Sequence, residues 1–136
     1  MLSKHPGTCQ FPHGHTRSVE IVLTADSLDE NDMVVDFKAV CEIMGEVLGR
    51  FDHALCMNTD DPHYAVLREA YGEHIIAFPH SDPTSEAMAA TVYRRAKEAL
   101  AEIVENTASR YPVRRCVQLE RVRVWETSST WAEYFE

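Results

Sequence analysis

Apolar and polar residues alternate over residues 18–25, where Val19, Ile21 and Leu23 share one parity and Ser18, Glu20 and Thr24 the other. That period of two predicts a half-buried strand. Residues 26–33 are acidic and read as a loop. From residue 37 the period changes. Phe37, Val40, Cys41, Met44, Val47, Leu48 and Phe51 recur at i, i+3, i+4 and i+7, which predicts a helix over 37–51 with Asp36 as its N-cap. Residues 52–83 carry less pattern; a short helix near 63–71 and a short strand at His74–Phe78 fit them. Asp82-Pro83-Thr84 reads as the start of a second long helix, since Pro suits a first helical turn. Its buried stripe is Met88, Ala89, Val92, Tyr93, Ala96, Leu100 and Ile103, and Tyr111-Pro112 lies beyond its end. Residues 115–126 read as a strand with a change of phase. Val117 and Leu119 share one parity, Val122 and Val124 the other, so a bulge is expected near Glu120 and Arg121. Residues 129–135 read as a last short strand. Strand, helix, helix, strand, strand predicts an α+β fold with an antiparallel sheet, in one domain over residues 1–136.

Residues 1–17 stand outside this pattern, punctuated by Pro6, Gly7, Pro12 and Gly14. Composition narrows the function classes. The chain has 136 residues and a formal net charge of −9, which argues against non-specific nucleic-acid binding. No apolar run approaches the roughly 20 residues of a membrane helix. Met-Leu-Ser-Lys-His-Pro lacks the apolar segment of a secretory signal, so a cytoplasmic location is expected. The four cysteines, Cys9, Cys41, Cys56 and Cys116, form no C-x-x-C pair. Each is expected to be either a small core residue or a working thiol, not part of a disulfide framework.

The irregular start holds the sharpest chemical feature, His13-Gly14-His15. Residues two apart in an extended backbone point the same way, so two imidazoles there can share one metal ion. Taken alone, H-x-H is weak; such pairs are commonly exposed polar residues. Cys9 lies four residues earlier, and a thiol beside a metal or cation can have a lowered pKa. Asp52-His53 follows the first helix, and a His with a carboxylate partner is a proton-transfer unit, although neighbours in sequence need not touch. Glu126 shares parity with Val122 and Val124. Either strand pairing ends before it and it is solvated, or its carboxylate awaits a bidentate donor such as the amino-pyrimidine edge of a pterin or guanine.

In this order, Cys9-x-x-x-His13-Gly14-His15, Met33-Val34-Val35-Asp36-Phe37, Asp52-His53, Pro83-Thr84-Ser85-Glu86 and Glu126-Thr127 resemble the 6-pyruvoyl and 6-carboxytetrahydropterin synthase family. The resemblance covers almost the whole chain. It implies the tunnelling fold, in which antiparallel sheets with two helices on one face close into a β-barrel between subunits, usually in a hexamer. It further implies a zinc ion on His13 and His15, with Cys9 as the thiolate base. Asp52 and His53 would be the relay, Glu126 the pterin anchor that can join that relay, and Thr84 and Glu86 part of the pocket. The three-residue gap between Cys9 and His13 resembles the bacterial enzymes of queuosine (7-deazaguanine) biosynthesis. These convert 7,8-dihydroneopterin triphosphate to 6-carboxytetrahydropterin, acetaldehyde and triphosphate. The pyruvoyl reaction and a non-catalytic pterin-binding role are the alternatives.

Three departures accompany the resemblance. The family's first zinc ligand is a His on an initial strand in an F-x-A-x-H pattern, which these residues lack. Either the chain is shortened at its start or His5 substitutes. Asn31-Asp32 stands in place of the usual Gly before Met33-Val34-Val35-Asp36-Phe37. The stretch between Asp52-His53 and Pro83 is also longer than in compact members. For the triphosphate, Lys4, Arg17, Arg114 and Arg115 are candidates on charge alone.

Overall fold

A computed structural model of the chain describes residues 1–106 and 108–136. Strand β1 (Ser18–Thr24) pairs antiparallel with β4 (Gln118–Trp125), and β4 with β5 (Trp131–Tyr134), giving a three-stranded sheet in the order β1-β4-β5. The expected bulge is present. Val22 lies opposite Arg121 and Leu23 opposite Leu119, so Glu120 is the extra residue. It turns Leu119 onto the same buried face as Val122 and Val124.

Helix α1 (Phe37–Gly49) starts as expected, with the Asp36 carboxylate accepting the Lys38 N–H at 2.7 Å. Its buried stripe differs from the expected one. Ala39, Ile43, Met44 and Val47 are buried, whereas Phe37 is 85% exposed and Cys41 is exposed. Phe37 and Cys41 lie on the outer face, Phe37 about 200° round the helix from Ala39, which is fully buried in the same turn. The longest helix, α3 (Ser85–Glu105), packs on β4, β5 and α1, burying Ala89, Val92, Tyr93, Ala96 and Leu100. It begins later than Pro83: Thr84 is the N-cap, its hydroxyl accepting the Ala87 N–H at 3.3 Å. Both helices feed one core with the sheet.

Residues 52–83 hold more order than their pattern predicts. Besides α2 (Tyr64–Tyr71) and β3 (Ile75–Phe78) there is a strand β2 (Leu55–Asn58) that alternation does not reveal. It pairs with β3 in parallel, a correction to the all-antiparallel expectation. The reason is local: α2 carries the chain back, so the second strand runs in the direction of the first. Met57, Ile75, Ile76 and Phe78 are buried, and short strands buried on both faces read as plain apolar runs. The sheet is open, and the described residues of this chain form no closed barrel. No described helix is long and apolar enough to cross a membrane.

Candidate active site

A cleft of about 780 Å³ opens where five segments meet: residues 1–17, the turn after α1, β2, the start of α3, and the β4–β5 turn. Cys9, His13, His15, Asp52, His53, Thr84, Glu86 and Glu126 all line it. Its volume lies within the range of small-molecule sites.

His13 and His15 stand edge to face, their ring centroids 4.8 Å apart. His13 Nδ1 lies 2.7 Å from the Phe11 carbonyl, so it carries the proton and donates, leaving Nε2 as the free lone pair. His15 Nε2 lies 3.3 Å from Glu126 Oε1. Burial lowers the His15 pKa against the pull of Glu126, and Arg17 and His13 add to the lowering.

Glu126 lies one residue beyond β4, in line with Val122 and Val124, yet its side chain is 33% exposed. It is neither solvated alone nor waiting unpaired. Its Oε2 accepts the Ser85 hydroxyl at 2.6 Å and Arg17 at 3.3 Å, and Arg17 also donates to Ser85 at 2.6 Å. The Ser85 hydrogen bond, opposed by burial and aided by Arg17 and His15, holds the carboxyl below its ordinary pKa. Sequence reading missed this partnership, listing Arg17 for its charge and Ser85 within a motif. No pattern in the sequence marks it: the pairing of Ser18 with Trp125, which puts their outer neighbours Arg17 and Glu126 side by side, is set by strand register.

Asp52 and His53 do touch: His53 Nδ1 lies 3.0 Å from Asp52 Oδ1, and both side chains are mostly exposed. His53 takes a left-handed backbone, φ 53°, unusual for a residue with a Cβ. Thr84 caps α3, and Glu86 is exposed in the first turn.

Other candidates fall outside the cleft. His5 turns its Nδ1 to the Gly7 N–H at 3.0 Å and is absent from the lining. Of the four triphosphate candidates only Arg17 lines it. Lys4 donates to the His80 carbonyl, Arg114 to the Ser27 carbonyl, and Arg115 to Glu105.

For a metal the donor set is short. Among the described residues no group of three His, Cys, Asp or Glu side chains is gathered closely enough to hold an ion. His13 and His15 supply two donors, one fewer than a catalytic zinc usually takes from protein, so these residues do not complete such a site.

Fold and cleft together define an α+β domain that gathers a thiol, paired imidazoles and a buttressed carboxylate at one end of an antiparallel sheet. The chain matches the family model described as 6-pyruvoyl tetrahydropterin synthase over residues 1–136, and it belongs to that family. A 6-carboxy-5,6,7,8-tetrahydropterin synthase of Aquifex aeolicus is 32% identical over 131 residues, covering 94% of this chain and 76% of that protein. A synthase of the same name from Rickettsia typhi is 33% identical over 86 residues, 62% of each chain. Among solved structures, a Plasmodium vivax 6-pyruvoyl tetrahydropterin synthase superposes with TM-score 0.62 at 15% identity, over 91% of this chain and 80% of that one. An uncharacterized Wolinella succinogenes protein superposes with TM-score 0.67 at 21% identity, over 94% and 81%. At those identities the structures speak for the fold alone.

Proposed function

We propose that the chain is a cytoplasmic pterin lyase of the 6-carboxytetrahydropterin synthase type. In this reading it converts 7,8-dihydroneopterin triphosphate to 6-carboxytetrahydropterin, acetaldehyde and triphosphate in queuosine biosynthesis, as a homo-oligomer, expected to be a hexamer. The observation that carries the reading is the cleft itself: Cys9, the Asp52–His53 pair and Glu126, far apart in sequence, line one cavity of ligand size. Cys9 is the general base, effective as its thiolate. Asp52 and His53 relay the proton to solvent, which their exposure permits. Glu126, kept ionised by Ser85 and Arg17, accepts N–H donors from the amino-pyrimidine edge. Thr84 and Glu86 shape the wall beside it. Zinc is proposed on His13 and His15, which supply two of the three protein ligands that a catalytic zinc usually takes.

The short donor set favours a second reading, a pterin-binding member of the family without turnover. One experiment separates them. Zinc-supplemented protein is incubated with 7,8-dihydroneopterin triphosphate, and products are identified by mass. Carboxytetrahydropterin with acetaldehyde supports the lyase. A pyruvoyl product, with triphosphate release and no carbon–carbon cleavage, replaces it by the sister reaction. No product, with retained pterin binding and no stoichiometric zinc, replaces it by the binding role.

A further inference from the structure

The segment that carries Cys9 has no apolar anchor: from Met1 to Arg17 no residue is buried. It is nevertheless laid against the cleft: Arg17 and His15 hold its far end to Ser85 and Glu126, and the side-chain contacts of its first residues with the body centre on one carboxylate. Asp82, buried just before Pro83, accepts the Ser3 hydroxyl at Oδ1 (2.7 Å) and the Lys4 backbone N–H at Oδ2 (2.7 Å). Asn58, 1% exposed at the end of β2, donates to the same Oδ1 at 3.0 Å. The Lys4 ammonium adds a bond to the His80 carbonyl at 2.9 Å. From this anchor the chain folds directly onto the thiol residue, since the Leu2 N–H donates to the Cys9 carbonyl at 2.9 Å. Asp82 also lies two residues before Thr84, the cap of α3 and part of the opposite cleft wall.

We propose that Asp82 is a positioning residue that straps the N-terminal arm to β2 and α3 and so fixes Cys9 in the cleft. The proposal rests on the reading of Cys9 as the base. Its geometry has the marks of a built joint. Three donors from two separate segments meet one buried carboxylate, and hydrogen bonds to an ionised acceptor are the stronger kind. Burial pushes the Asp82 carboxyl up, yet the Lys4 N–H, Ser3 and Asn58 outweigh it and hold the group below the usual range. The joint is therefore charged at neutral pH.

The test is peptide-resolved alkylation by iodoacetamide at fixed pH, run alongside turnover. Exposed Cys41 is the reference thiol, and Cys116, half-buried beside the core residue Val117 and outside the cleft, reports loss of the fold. In Asp82→Asn the Cys9 rate is expected to rise about tenfold over wild type, the change in local opening that follows loss of one charge-assisted bond. Cys41 and Cys116 keep their rates, and kcat falls more than KM changes. Ser3→Ala removes one donor and leaves Asp82 and the body intact; it is expected to raise the Cys9 rate about threefold. Should Cys116 become as reactive as Cys41 in Asp82→Asn, the fold is lost in that variant and Ser3→Ala decides. A Cys9 rate within twofold of wild type in the folded variants overturns the strap, even where the melting temperature drops. Full turnover by Cys9→Ala would instead overturn the base reading and leave the strap standing on the alkylation rates.

Discussion

In the body of the molecule Val122, Val124, Ala89 and Tyr93 are almost wholly withdrawn from water, packed between the sheet, α3 and α1. The N-terminal arm has no such residue and is held by hydrogen bonds. The contrast separates stability from chemistry. Burial is summed over many residues and tolerates small losses, whereas the arm depends on a few directional contacts that each matter. The arm also carries the thiol and both imidazoles, so the part expected to do chemistry is the part least fastened by packing.

The largest expected effect that sharpens the contrast is chemical. Cys9→Ala should lower kcat by about 10²–10⁴, the range for loss of a general base, with little change in the unfolding midpoint. A steady-state assay beside a urea melt checks both. Tyr93→Ala is the converse. Truncating an aromatic in a packed core should cost about 3–5 kcal/mol of stability. Product identity should not change, and the denaturant midpoint is the measurement.

His53 offers a sharper cut, because there the two properties meet in one residue. Its left-handed backbone suits glycine. His53→Gly should therefore be more stable than His53→Ala by about 1 kcal/mol, while both lose the imidazole and slow turnover alike. Equal stabilities would mean that the backbone there relaxes freely.

The smallest expected effect concerns pH. The Asp82 carboxyl titrates below its unfolded value near 3.9, so its contribution is fully present above about pH 4 and is lost as pH falls through the folded value. Acid melts should show a decline below pH 4 that flattens in Asp82→Asn. An identical acid limb in the two proteins would remove Asp82 from the set of stabilising carboxylates.

Much of the frame was legible from pattern. The strand at 18–25, both long helices, the Asp36 cap and the bulge at Glu120 follow from periodicity and side-chain chemistry that act over a few residues. The failures have physical causes. Phe37 and Cys41 keep the helical spacing but lie on the face turned away from Ala39, Ile43 and Val47, because the period fixes a stripe and packing decides which stripe is covered. β2 is four residues long, too short for alternation to register, and its parallel pairing follows from α2 lying between the two strands. Pro83 marks a helix start correctly only to within two residues, because Thr84 has the better capping oxygen.

The candidate site divides the same way. The residue types and their order along the chain, Cys9 with His13 and His15, then Asp52-His53, then Glu126, belong to the sequence, since chemical identity and short spacing need no fold to be read. Their meeting in one cleft belongs to the tertiary structure. So do the Arg17–Ser85–Glu126 cluster, the exclusion of His5 and the convergence of Ser3, Lys4 and Asn58 on Asp82. These contacts join residues tens of positions apart, and only strand register and helix packing decide which distant polar groups come within hydrogen-bonding reach.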